Sequence, residues 1–178
     1  METLYPNPDQ PFEIDLGAGD GGFVIQSAMQ YPEINFLAIE RLKGRAMKIA
    51  KKADQLGLRN VRVLRLDALY SLEYLVPKRS VSCLHLLFPD PWPKRRHAKY
   101  RLLQMPFLKA LRRVLKTGGY FHFATDDLNY WQQGLALIAS CPVFYKCDFP
   151  RALPLTDFEQ MWLASGRTSH HAWWRYLE

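Results

Sequence analysis

Asp90 lies in the stretch "LFPDPWPKRRHAKYR", residues 87–101, between Pro89 and Pro91 and two residues ahead of Trp92. Proline fixes the backbone φ near about −65°, so this carboxylate is held in place before any partner arrives. A fixed acid of that kind suits a site where positive charge develops, or where a base presents N–H donors. Directly after it the chain turns basic. Lys94, Arg95, Arg96, Lys99 and Arg101 could hold phosphates around a nucleotide.

Further acids and glycines fall at similar places along the chain. "FEIDLG" puts Glu13 and Asp15 on one face of an extended segment, and "GAGDGG", Gly17 to Gly22, follows it. Glu40 comes about twenty residues later, the spacing of a ribose-binding acid in a dinucleotide fold. A pyrophosphate would nevertheless lie close to Glu13 and Asp15, and two acids there suit a cation better. S-adenosyl-L-methionine carries an ammonium and a sulfonium and no phosphate. Gly17 and Gly19 would let the backbone approach its methionine part, Glu40 would accept from the ribose hydroxyls, and Asp67, ahead of Ala68, would accept from the adenine amine.

The elements that must position these residues alternate. Segments 12–17, 35–40, 61–66, 81–88 and 120–125 are rich in branched and aromatic residues and predict strands. Amphipathic stretches near 22–31, 42–56, 98–115 and 127–139 predict helices, with a break or kink at Pro106. That order means an α/β fold, a mostly parallel sheet covered on both faces by right-handed crossovers. Each of the five strands ends in Gly or an acid, where such sheets bind ligands. After residue 140, "VFYKCDF" and "AWWRYL" predict a hairpin-like edge with one antiparallel strand and no helix between them.

Composition bounds the function classes. The chain has 178 residues, 48% hydrophobic and 23% charged, which predicts one globular domain and argues against disorder. No signal peptide or membrane span is legible at the N-terminus, so a cytoplasmic protein is expected. Three cysteines without CxxC pairing argue against disulfides and zinc, and the adjacent His170 and His171 lack a third ligand, so no metal is expected. Net charge is +7, yet the nine Lys and Arg between Lys94 and Lys116, with no acid among them, leave −2 for the remainder. Arg41, Arg45, Lys48 and Lys52 add a helical stripe. Two basic regions in one small domain favour a nucleic-acid partner.

The sequence resembles the tRNA (guanine-N7-)-methyltransferases, a family of class I enzymes that use S-adenosyl-L-methionine. "FPDPWPKRRHAKYR" carries the resemblance most specifically, supported by "FEIDLGAG", "IE" at 39–40, "NVRVLRLDA" at 60–68, "ATD" at 124–126 and "TDFE" at 156–159 with Gly166 after it. It implies a Rossmann-like class I methyltransferase fold, with a mostly parallel seven-stranded sheet, helices on both faces and one antiparallel strand near the C-terminal edge. It implies methylation of guanine N7 in tRNA, at position 46 of the variable loop. Glu13, Glu40, Asp67 and Asp90 would contact the cofactor, Asp90 would also be catalytic, and Lys94, Asp126, Thr156, Asp157, Phe158 and Glu159 would contact substrate. The chain departs from the family where eleven residues precede the first strand in place of a longer, often basic, segment, and where Tyr100 replaces a basic residue. A single domain, 1–178, is expected, and monomer, homodimer or an added partner subunit all stay open.

The chemistry of N7 agrees with this pattern. Guanine N7 has an in-plane lone pair and needs no general base, so placement and electrostatics suffice. Asp90 would favour the positive charge moving onto the ring and could accept from the guanine N1 and N2 hydrogens. Trp92 is expected to anchor the loop in the core rather than stack on the base, and His97 to contact phosphate or structure. Three other readings stand beside this one: methylation of an exocyclic amine, from the likeness of "DPW" to a DPPY-type loop, a nicotinamide oxidoreductase on the same fold, and an RNA-binding protein without catalysis.

Overall fold

In the computed structural model, residues 4–164 and 168–178 are described, without the side chains of Arg95 and of residues 162–164; Gly166 lies outside this set. Seven strands form one sheet: β1 (Phe12–Leu16), β2 (Asn35–Ile39), β3 (Val61–Leu64), β4 (Val81–Leu87), β5 (Leu115–Thr125), β6 (Phe144–Cys147) and β7 (His170–Tyr176). Their order is β3-β2-β1-β4-β5-β7-β6, and β7 runs antiparallel to the other six. The order reverses between β1 and β4, the switch point at which such sheets open a crevice.

The helices are α1 (Gly22–Gln30), α2 (Lys43–Gln55), a short α3 (Ala68–Tyr70) continued by a wide turn, α4 (Met105–Val114), α5 (Leu128–Ala139) and α6 (Asp157–Ala164). Alternation along the strands divides the sheet into two faces. Ile14, Leu16, Leu84, Leu86, Phe121 and Phe123 enter one core with Phe107, Leu111 and Tyr130 of α4 and α5. On the other face, Phe36 and Ala38 pack against Val24, Ile25 and Ala28 of α1 and Ile49 and Ala53 of α2. Gly21 starts α1 with φ 83°, and a side chain there would meet Ile49, so both backbone and space require glycine.

Two expectations change here. The stretch 98–115 is not one helix: residues Arg95–Tyr100 form a 3-10 turn and α4 begins at Met105, with Pro106 in its first turn where a missing N–H costs nothing. A helix, α6, occupies the segment between β6 and β7. Its start is a capping box: Thr156 Oγ1 accepts from the Glu159 amide (3.1 Å), and Glu159 Oε2 accepts from the Thr156 amide (2.8 Å). No helix among the described residues is long and apolar enough to cross a membrane.

Candidate active site

The C-terminal ends of β1 to β4 open into a cleft of about 760 Å³. Asp15, Gly17, Gly19, Glu40, Asp67 and Asp90 all line it, with Thr156, Asp157 and Phe158 at the α6 side and Trp92, Lys99 and Tyr100 at the basic side. The structure therefore brings most of the sequence-predicted residues to one cavity.

At the β1 end the carboxylates are fixed by backbone. Glu40 Oε2 accepts from the Gly19 amide (3.0 Å) and its Oε1 from the Leu42 amide (2.7 Å), so the acid is oriented before a ligand arrives. Asp67 caps α3 through Oδ1, which accepts from the Tyr70 amide (3.0 Å). Asp15 differs. Its Oδ2 is buried and accepts no hydrogen bond among the described residues, and burial, with the nearby Glu40 charge adding, pushes its carboxyl up to about 7. A buried carboxylate oxygen without a partner calls for a cation or a donor. The cleft thus fits a cofactor that presents an ammonium or sulfonium at this end, and disfavours a pyrophosphate.

Glu13 was expected beside Asp15 at the cofactor, and the structure does not bring it there. Both its oxygens are engaged: Arg151 donates to them at 2.8 and 2.5 Å, and His85 Nε2 lies 3.1 Å from Oε2. Cys83 approaches the same pair, but the bidentate guanidinium already neutralises the acid.

At the β4 end, the Asp90 loop is pinned from both sides. The Phe88 amide donates to the Ala124 carbonyl (2.8 Å), and Arg101 Nε donates to the Pro91 carbonyl (2.7 Å). Phe88 and Trp92 adopt φ of 49° and 44°, a left-handed conformation that costs non-glycine residues energy and recurs in clamped functional loops. Arg101 corrects an expectation. It is 5% exposed, donates to Asn129 Oδ1 (2.8 Å) and Gln133 Oε1 (2.6 Å), and lies over the Tyr130 ring, so it holds the loop and cannot meet RNA phosphates. Lys94, Arg96 and Lys99 are exposed beside the cleft.

Trp92 is not a core anchor either. It is 36% exposed and packs its ring on His97 and Tyr100, forming an aromatic wall of the cleft. Asp126 is exposed at the end of β5 and does not line the cleft. Glu159 turns inward to His171 (3.0 Å), and Asp157 sits against Gly22, where any side chain would collide with its carboxylate. Sequence reasoning missed Arg151 and the α6 helix; the T-x-x-E spacing of residues 156–159 is a capping signal that marks the latter.

Comparison with known proteins agrees with this geometry. Residues 9–172 match the model of a methyltransferase family described as "Putative methyltransferase". A tRNA (guanine-N(7)-)-methyltransferase of Shewanella piezotolerans is 36% identical over 168 residues, covering 90% of this chain and 69% of the relative. The enzyme of the same name from Sodalis glossinidius is 37% identical over 171 residues, covering 92% and 70%. Among solved structures, a SAM dependent methyltransferase from Aquifex aeolicus superposes with a TM-score of 0.64 at 17% identity, over 98% of this chain and 91% of that one, which shows the shared Rossmann-like fold. By its sequence match over nearly the whole length, the chain belongs to the tRNA (guanine-N7-)-methyltransferase family.

Proposed function

We propose that this protein transfers a methyl group from S-adenosyl-L-methionine to N7 of a guanine in tRNA, in the cleft at the β1–β4 switch point. S-adenosyl-L-methionine, when bound, supplies the methyl group from its sulfonium. One observation carries the reading: a single cleft has an unpartnered buried carboxylate, Asp15, at one end and the pinned Asp90 loop flanked by exposed cations at the other. Asp15 would balance the positive end of the cofactor, Glu40 would accept from its ribose hydroxyls and Asp67 from its adenine amine. Asp90 would orient guanine through its N1 and N2 hydrogens and favour the positive charge that reaches the ring on N7 attack. No side chain needs to remove a proton, because the N7 lone pair is already free to attack. Trp92 and Tyr100 offer ring faces to the base, and Lys94, Arg96 and Lys99 would hold the flanking phosphates. Of the run that the family reads as substrate contacts, Thr156, Asp157 and Phe158 line the cleft, while Glu159 turns inward and shares with Thr156 the capping box of the helix that presents them.

The test is to incubate the protein with unmodified tRNA and methyl-labelled S-adenosyl-L-methionine and to recover alkali-labile 7-methylguanine. Asp90→Ala should lower kcat by about 10²- to 10³-fold, the usual cost of removing one preorganised electrostatic group, and leave tRNA affinity nearly intact. Equal turnover by wild type and Asp90→Ala would overturn the assignment.

A further inference from the structure

The sheet face beneath α1 carries a line of polar groups that methyl transfer does not use. Glu13 of β1, His85 of β4, His122 of β5, His171 of β7 and Glu159 of α6 stand in one continuous series. Glu13 Oε2 lies 3.1 Å from His85 Nε2, and His85 Nδ1 lies 3.4 Å from His122 Nδ1. His122 Nε2 lies 3.2 Å from His171 Nδ1, and His171 Nε2 lies 3.0 Å from Glu159 Oε1. Apolar rings seal the middle: Trp173 stacks on His122 at 3.5 Å, Phe149 stacks on Trp173 at 4.0 Å, and Phe23 of α1 covers His85. Only the His171 end reaches solvent, with a side chain 33% exposed.

Hydrogen-bond counting constrains the proton content of this series. There are four contacts, and both terminal groups are carboxylates, which when ionised accept and never donate. Each contact therefore needs one proton from a ring nitrogen. Three neutral imidazoles bring three protons, which leaves one pair of lone pairs face to face in a buried site. A single additional proton completes every contact. It also balances charge, because Glu13 and Glu159 are two anions and Arg151 on Glu13 is one cation.

The surrounding groups agree. From β1, Asp15 stands in register with His85; from β4, Cys83 adjoins Glu13; from β6, Cys147 pairs in register with Trp173. Arg151 is the cation of the segment after β6, and Ser169 Oγ lies 3.1 Å from His171 Nε2. Burial pushes both Glu13 and Glu159 up, but the bonds from His85 and Arg151, and from His171 and the Thr156 backbone, bring each below the ordinary carboxylate range. Burial pushes His122 well below the usual histidine range, and the neighbouring His85 and His171 push it further, which keeps the additional proton off the centre of the series. Arg151 already serves Glu13, so charge balance draws the proton toward Glu159.

We infer that these five residues form one proton-sharing chain holding a single excess proton, and that His171, acting through Glu159, is a positioning residue that sets the run Thr156 to Glu159 at the cleft for the incoming tRNA nucleotide. The same imidazole meets the Phe88 ring edge-on at 6.1 Å, so it touches the Asp90 loop as well as α6. The positioning role rests on the methyltransferase reading; the proton count does not.

The chain has five histidines, few enough to follow individually by ¹⁵N-histidine NMR of the whole protein. Near neutral pH the wild type should show one proton more than three neutral rings across His85, His122 and His171, lost in one concerted step as pH rises. Glu159→Gln should release that proton, since an amide can donate. KM and Kd for tRNA should rise with pH through the same step while kcat stays nearly flat. His171→Phe should raise both about fivefold below that step, the scale of one lost hydrogen bond, and converge with wild type above it, whereas His171→Gln, which keeps a donor but cannot titrate, should restore affinity and flatten its pH dependence. Three independently titrating rings, or three neutral rings near neutral pH, would overturn the chain. A shared proton with tRNA affinity indifferent to pH and to His171→Phe would overturn the positioning role. Tight tRNA binding without methyl transfer would count against the proposed reaction alone, because the NMR count and the Kd decide this inference without turnover.

Discussion

The buried carboxyl of Asp15 ties stability to pH and, on the proposed reading, ties cofactor binding to pH as well. Its folded value of about 7 lies above the roughly 3.9 of an unfolded aspartate, so the folded state binds this proton more tightly. Without ligand, that contribution to stability is present at low pH and is lost as pH rises through about 7. A cationic cofactor reverses the preference, because it pairs with the ionised form. Affinity for S-adenosyl-L-methionine should therefore fall as pH drops below about 7, by about tenfold between pH 8 and pH 6, and Asp15→Asn should bind more weakly with a flat profile. Isothermal titration at the two pH values checks this; an unchanged wild-type affinity would remove Asp15 from the cofactor's surroundings.

Among the elements, the loop after β4 separates two kinds of cation that look alike in sequence. Arg101 is buried under the loop and tied to Pro91, Asn129 and Gln133, whereas Lys94 is exposed at its rim. Arg101→Ala should cost about 2–3 kcal/mol of stability, from charged hydrogen bonds lost and carbonyls left unpaired, and should lower kcat by loosening Asp90. Lys94→Ala should leave the urea midpoint unchanged, weaken tRNA binding across sequences and reduce the salt slope by about one. Parallel denaturation and salt-titration curves distinguish the two, and a stable Arg101→Ala with weakened tRNA binding would return Arg101 to the RNA surface. The helix α6 was legible in principle, since Thr156 and Glu159 carry a capping box, but an eight-residue helix has too little periodicity to stand out.

At the scale of the molecule, the five strand ends were readable from sequence because each strand is a short apolar run closed by Gly or an acid, and parallel topology follows from the alternation of elements. Strand order, and so the neighbours of each face, was not. Glu13 reads as a cofactor acid until the register sets His85 beside β1 and the segment after β6 brings Arg151 across the sheet. That ion pair joins residues 138 positions apart and is almost wholly buried on the acid side. Arg151→Ala should therefore destabilise the fold by about 3 kcal/mol, the scale of a buried charge losing its partner, and replacing Glu13 by Gln in the same protein should recover much of the loss. Urea denaturation of the single and double variants measures it, and additive losses would deny the coupling.

The order β5-β7-β6 also has a consequence for how the protein is made. Strand β7 follows β5 and β6 in the chain yet inserts between them, and the Arg151 that neutralises Glu13 emerges long after β1. Until then the nascent chain carries an open edge along Tyr120 to Thr125 and an uncompensated acid in β1. Completion of the sheet thus waits for β7 to emerge rather than proceeding strand by strand, and nascent chains stalled before His170 are the ones that holdase chaperones should retain.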